Sequence, residues 1–147
     1  MRTMMVTAIA GLLLAAGAGC ETQQLSHVGD APREQIAYAA TAKYPAETPA
    51  RAGLQVAAVD DPDGKKLTLL NLTDNAVPPS TVWVNGAYLH QVPTIAPRGM
   101  VDVHYSHLLM AGPSPQDLKQ SGQSVRKVEL QTHDGFFAVQ GPSKKTK

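Results

Sequence analysis

Short apolar segments separated by turn residues fill the chain from Leu54 onward, and this alternation constrains the fold more than any other feature. The segments are rich in Val, Leu and Thr, and Gly, Pro, Asn and Asp stand between them. Such segments are typical of β-strands bounded by turns. About seven of them at regular intervals favour an all-β sandwich. The sequence therefore predicts a small antiparallel sandwich over residues 54–141, with short helical turns between some strands.

One hairpin is predicted at Asn85-Gly86, within STVWVNGAYLHQV. A two-residue Asn-Gly loop favours a type I′ turn, and that loop length pairs Trp83 with Tyr88. Because alternate residues of a strand face the same side, Trp83, Tyr88 and His90 would share one face of the hairpin. Exposed Trp and Tyr are typical of binding surfaces, so this face is the candidate contact surface. The opposite assignment, with this face in the core, stays open.

A second hairpin is predicted at Asp134-Gly135, within VRKVELQTHDGFFAVQ. Pairing Leu130 with Val139 around this loop gathers the apolar side chains on one face. With two such hairpins, the predicted sandwich resembles immunoglobulin-like domains in architecture only. This resemblance implies a fold and no activity.

The chain that precedes the sandwich, residues 20–53, is interpreted as a tether. Its stretch REQIAYAATAK is typical of a short helix, with a thin apolar stripe formed by Ile36, Ala40 and Tyr44. Docking of this helix on the sandwich and free movement of it remain two open alternatives. The polar end of the chain, residues 142–147, is expected to be disordered.

Residues 1–19 have the composition of a signal peptide. Arg2 is followed by an apolar run from Val6 to Ala18 that ends in small residues. The run is shorter than the roughly 20 apolar residues that a membrane-spanning helix needs. Cys20, the only cysteine in the sequence, follows at once, and the residues after it are polar. A single cysteine excludes an intramolecular disulfide and a multi-cysteine zinc site.

The residues Gly17-Ala18-Gly19-Cys20 resemble the lipobox of bacterial lipoproteins, apart from Gly17, where leucine is usual. The resemblance implies cleavage before Cys20 and acylation of its thiol with a diacylglyceryl group carrying fatty acids such as palmitate. It also implies an exported domain anchored to the cell membrane or outer membrane and facing the periplasm. Glu21 stands where that family uses aspartate as an inner-membrane retention signal, which favours the outer membrane.

An ordinary secretory cleavage remains the alternative, because Ala16-Gly17-Ala18 also fits the A-x-A pattern. This cut would give a soluble periplasmic protein with a free thiol near its N-terminus. For the lipid anchor, each buried CH₂ contributes about 0.8 kcal/mol, so two or three acyl chains suffice for stable attachment.

Charge and motifs narrow the function. Once Arg2 leaves with the signal peptide, basic and acidic side chains are equal in number, so no nucleic-acid partner is expected. The sequence has no G-x-S-x-G elbow, no H-E-x-x-H and no glycine-rich phosphate loop. We therefore expect a non-enzymatic binding or structural protein without a cofactor. Its partner would be an envelope protein or a cell-wall polymer. Besides the metal-handling hypothesis described next, an unrecognised hydrolase remains a third alternative.

A periplasmic metal-handling protein is the second hypothesis, based on His104, His107 and Met110. Imidazole and thioether ligands suit Cu(I), and imidazole suits zinc. The ordinary interpretation is that His104 alternates with Asp102 on a solvent-exposed strand face, while Met110 packs under a turn. The acidic stretch DDPDG, residues 60–64, is interpreted as a turn rather than a calcium loop, because lysines follow where ligands should continue.

Overall fold

Two β-sheets form the body of the protein in the computed structural model, which describes residues 31–144. The strands in these residues are β1 Val56–Asp60, β2 Lys66–Asn71, β3 Ser80–Val84, β4 Tyr88–Val92, β5 Met100–His104, β6 Leu109–Met110, β7 Val128–Thr132, β8 Gly135–Ala138 and β9 Gln140–Lys144. One sheet has the order β5-β2-β1-β9 and the other has the order β6-β4-β3-β7-β8. Neighbouring strands are antiparallel, except that β9 runs parallel to β1. The prediction of an all-β, mainly antiparallel, sandwich-like fold is confirmed.

Alternating apolar residues build the cluster between the two sheets, called the inter-sheet core below. In β2, Leu67 and Leu69 are fully buried, whereas Thr68 between them is only partly buried. The facing sheet contributes Val82 and Leu130, which are also fully buried. This period of two is what a strand with one buried face produces.

The first hairpin differs from its prediction by one residue of register. Val84 pairs with Tyr88, so the loop contains three residues and includes Ala87 as well as Asn85 and Gly86. Asn85 and Gly86 both have positive φ, as predicted for this dipeptide. A slip of one residue moves the side chains of one strand to the other face. The predicted pairing of Trp83 with Tyr88 is therefore wrong.

The second hairpin differs from its prediction by two residues. Leu130 pairs with Phe137 rather than Val139, and the loop is His133-Asp134. Because side chains alternate with a period of two, this slip leaves every side chain on its predicted face. Leu130 and Val139 accordingly both lie in the inter-sheet core.

Residues 31–51, which the sequence analysis assigned to the tether, pack against the sandwich. This stretch, called the docked segment below, contains helix α1, Arg33–Thr41. It lies on the outer face of the five-stranded sheet, where it packs with a second apolar cluster comprising Ala39, Trp83, Leu89, Leu109 and Phe136. Of the two alternatives left open, docking is the one observed.

The docked segment is also joined to the body through its main chain. Gly112 N donates to Ala39 O at 2.9 Å, and Arg51 N donates to Phe136 O at 2.8 Å. Ala138 N in turn donates to Arg51 O at 2.9 Å. These bonds hold both ends of the segment against the five-stranded sheet.

The short elements between strands are only partly as predicted. Between β5 and β6 the chain forms a 3₁₀ turn, Tyr105–His107, one of the short helical turns expected between strands, and Leu109 and Met110 then form β6. Helix α2, Leu118–Ser121, begins after Asp117, whose side chain accepts a hydrogen bond from Gln120 N at 2.7 Å. Residues 142–144 belong to β9, so the predicted disordered tail begins inside a strand. Residues 145–147, the signal peptide and Cys20 lie outside the described residues.

Candidate functional site

Three histidines lie together at the edge of the sandwich, where the chain passes from one sheet to the other. His104 ends β5, His107 ends the 3₁₀ turn, and His90 lies on β4 of the five-stranded sheet. The ring centroids of His104 and His107 are 5.6 Å apart, and those of His90 and His107 are 5.9 Å apart. His107 is therefore the central member of the cluster. Sequence reasoning paired His104 with His107 but missed His90, which reaches them from a different sheet.

His90 has the most unusual environment of the three. It is partly buried, and its Nδ1 atom has no hydrogen-bond partner among the described residues. Burial lowers the pKa of His90 below its usual range, and the neighbouring His107 lowers this pKa further. A hydrogen bond to the main chain of His107 acts in the opposite direction. The structure therefore favours the neutral imidazole at this position.

His104 is exposed, as predicted, on the outer face of the four-stranded sheet next to Asp102. The carboxylate of Asp102 accepts hydrogen bonds from Lys66 Nζ at 2.7 Å and from Thr68 Oγ1 at 2.6 Å. These two bonds, that from Lys66 first, lower the pKa of Asp102. The Asp102 carboxylate is thus bonded to two side chains of the neighbouring strand β2.

The predicted metal-ligand set is only partly assembled. His104 and His107 are adjacent, but Met110 is partly buried and packs against the inter-sheet core. Within residues 31–144, no group of three or more His, Cys, Asp or Glu side chains is arranged to hold a metal ion. The packing role that the sequence allowed for Met110 matches its position.

The predicted contact surface of Trp83, Tyr88 and His90 is not an exposed patch. Trp83 is 1% exposed and Tyr88 is 2% exposed. The one-residue slip of the first hairpin places them on opposite faces of the sheet, Trp83 in the second apolar cluster and Tyr88 in the inter-sheet core. Both faces of β3 are buried because the docked segment covers the outer one. The expectation of a binding surface on these three residues is therefore corrected.

A polar cluster under the docked segment was missed by sequence reasoning. Tyr44 Oη donates to Glu129 Oε2 at 2.7 Å, and Lys127 Nζ donates to Tyr44 Oη at 2.8 Å. Lys127 also pairs with Glu129 at 3.0 Å, and the Glu129 side chain is only 6% exposed. Burial raises the pKa of Tyr44, while its bond to Lys127 opposes this rise. The signal in the sequence was a glutamate between Val128 and Leu130, on the strand face that had no assigned partner.

Comparisons with known proteins give no relative: no known protein family, no curated protein and no solved structure matches the chain. Among the described residues, no helix combines the length and the apolar character that crossing a bilayer requires.

Acidification should destabilise the fold through His90. Because its pKa in the folded state is lowered, the unfolded chain binds a proton at higher pH than the folded chain does. Its contribution is fully present above the ordinary histidine pKa of about 6.5 and is lost as the pH falls below it. Urea unfolding between pH 7.5 and 5 should show this loss in the wild-type protein and a smaller loss in His90→Gln.

A matched control is His133→Gln, because His133 is exposed at the tip of the second hairpin. It should keep the wild-type pH profile. The pKa of the neighbouring Asp102 carboxylate lies below its ordinary value of 3.8, chiefly because Lys66 donates a hydrogen bond to it, so this carboxylate stays charged between pH 7.5 and 5. Parallel profiles for His90→Gln and the wild type would contradict the assignment.

Proposed function

We propose that this protein is an exported bacterial lipoprotein of the cell envelope, whose β-domain has a non-catalytic binding or structural role. The observation that carries the proposal is the sequence Gly17-Ala18-Gly19-Cys20 at the end of an apolar N-terminal run. A thiol at this boundary, and at no other position in the sequence, suits acylation. Two or three acyl chains would hold the domain stably at the membrane surface.

The domain itself supports a binding role in one place, the outer face of the four-stranded sheet. Met100 lies there and is 68% exposed. Among the described residues, the other exposed large apolar side chain is Leu72, at 39%. Val59 and Leu70 line the same depression as Met100, and so do the charged side chains of Lys66 and Asp102. A surface that combines apolar and charged side chains favours a protein or polymer partner in the envelope. The two-sheet architecture suits an immunoglobulin-like sandwich, a type of domain often used for adhesion and scaffolding.

The test is the chemical state of Cys20 in protein purified from membranes of its host. We expect an intact mass for a chain that starts at Cys20 and carries a diacylglyceryl group, with or without a third acyl chain. Labelled palmitate should be incorporated into the wild type and not into Cys20→Ser. Gly17→Leu is the matched control, because it restores the usual lipobox residue and should keep the label. An unmodified chain that starts at Gly19 would overturn the proposal and leave a soluble periplasmic protein.

Metal handling is the second candidate, and the adjacency of His104 and His107 is the observation that favours it. Two imidazoles at this spacing can share one copper or zinc ion. The same preparation, measured as intact protein under native conditions, would then carry the mass of one metal ion. The double variant His104→Ala/His107→Ala would lose that mass.

A further inference from the structure

The docked segment is separable from the inter-sheet core. The fully and nearly buried members of that core all lie at Val56 or beyond in the sequence. Residues 31–51 contribute instead to the second apolar cluster, on the opposite side of the five-stranded sheet. The segment can therefore leave the sheet without opening the packing between the two sheets.

Helix α1 buries little apolar surface completely. Ile36 and Tyr38 are only partly buried against the second apolar cluster, and Tyr38 Oη lies within hydrogen-bond distance of Thr81 Oγ1, at 2.9 Å. Ala39 is its one fully buried apolar side chain. Gln35 is buried as well, and its amide acts like a peptide group beside β4: Nε2 donates to Leu89 O at 3.4 Å, and Oε1 accepts from Gln91 N at 3.3 Å. Both distances are at the long end for hydrogen bonds. A nine-residue helix is also too short to be stable in water by itself, so α1 depends on docking.

Tyr44 attaches the docked segment to the sheet through both its ring and its hydroxyl. Its ring packs edge-on against Trp83 and Phe136, with ring centroids 5.4 and 5.7 Å away. Its hydroxyl is bonded to Glu129 and Lys127, as described above. One side chain thus combines aromatic packing with the polar contacts of a buried carboxylate, so its removal should weaken the docking of the segment.

We propose that the docked segment is a strap that sets how far the β-domain stands from the membrane. This inference rests on the proposed lipid anchor at Cys20. With the strap docked, the chain between Cys20 and Ala31 spans at most roughly 40 Å, at about 3.6 Å per residue. With the strap released, the free chain runs from Cys20 to Leu54 and spans at most roughly 120 Å. Release also uncovers Trp83 and Phe136.

Trp83 is the single tryptophan of the sequence, so its emission reports docking directly. In the lipidated protein on phospholipid vesicles, Tyr44→Ala should shift this emission to the red and raise its acrylamide quenching several-fold. Trypsin should also cleave at Arg33, Lys43 and Arg51 several-fold faster, while the remaining sandwich resists. Lys43→Ala is the control for the loss of an exposed neighbouring side chain, and its emission should match the wild type.

Reach is measured on the same vesicles. His133→Cys gives a single free thiol at an exposed hairpin tip, because Cys20 is acylated. Energy transfer from a dye on this thiol to acceptor-labelled lipids should fall at least two-fold in Tyr44→Ala. Tyr44→Phe keeps the ring and removes the hydroxyl, so it should give an intermediate loss and tests the proposal even if Tyr44→Ala fails to fold.

Each outcome bears on a different claim. A protected Trp83 in both Tyr44 variants would overturn the strap, and an exposed Trp83 with unchanged energy transfer would overturn its control of reach. Protein that does not bind the vesicles at all would refute the lipid anchor. It would also refute the claim that the strap sets the distance between the β-domain and the membrane. Quenching and proteolysis of the unbound protein would then still report whether the segment docks.

Discussion

Replacing Trp83 with alanine should lower the free energy of unfolding by about 3–5 kcal/mol, the range for deleting a large buried aromatic side chain. Trp83 is 1% exposed, and its Nε1 donates to Gln131 Oε1 at 2.9 Å. Its removal leaves a cavity under Tyr44 and takes away the donor to Gln131. Urea unfolding followed by far-UV circular dichroism measures the loss, because the variant has no tryptophan to follow.

Met100→Ala is the control for this measurement, since Met100 is large, apolar and 68% exposed. Its free energy of unfolding should stay within about 0.5 kcal/mol of the wild type. A loss of less than about 1 kcal/mol in Trp83→Ala would mean that the ring is not packed. Trp83 would then be exposed on the outer face of the five-stranded sheet.

The strands could be predicted because their signal is local. A period of two in apolar residues, ended by turn residues, identifies each segment that becomes β1 to β5, β7 or β8. β6 and β9 were not predicted because neither has such a local signal. β6 has two residues, too few to show a period, and β9 is polar and forms by pairing with β1.

Loop length was beyond local reasoning. Asn-Gly marks the place of the first turn, but the turn is also held by contacts of Asn85 with residues distant in sequence. Asn85 Nδ2 donates to Ser124 O at 2.9 Å, and Asn85 Oδ1 accepts from Arg126 N at 2.8 Å. These bonds join the turn to a segment about 40 residues away. Because the sequence analysis assumed a two-residue loop, it placed Tyr88 on the same face as Trp83, and the predicted contact surface depended on that placement.

The docked segment could be predicted as a helix but not as a part of the fold. Of the predicted apolar stripe, Ile36 and Tyr44 pack partly buried on the sheet. The buried residues of the helix itself are Gln35 and Ala39. A buried glutamine has no apolar signal, and its role depends on free main-chain groups of β4. In the candidate site, His104 and His107 were paired because they are three residues apart; His90 joins them only through the sheet arrangement.

Gly141→Ala should lower the free energy of unfolding by about 3 kcal/mol, because two effects act together. Gly141 has φ +99°, a conformation that alanine rarely adopts. A Cβ atom there would also lie 2.6 Å from Ala58 O and 2.8 Å from Ser143 N. Both neighbours are main-chain atoms. Ala58 O belongs to β1, so relief of that contact requires β9 to move away from β1, whereas Ser143 N belongs to β9 itself and requires the strand to change its own backbone.

Gly53→Ala separates the two effects. Gly53 has a similar φ of +113°, but a Cβ there meets nothing within 4 Å in the described structure. We expect a loss of about 1 kcal/mol at this position, from backbone strain alone. Urea unfolding of both variants gives the difference, which measures the close approach of β9 to β1. Equal losses would mean that no such approach exists, and the edge of the four-stranded sheet would then be β1, leaving its main-chain groups free for a partner strand.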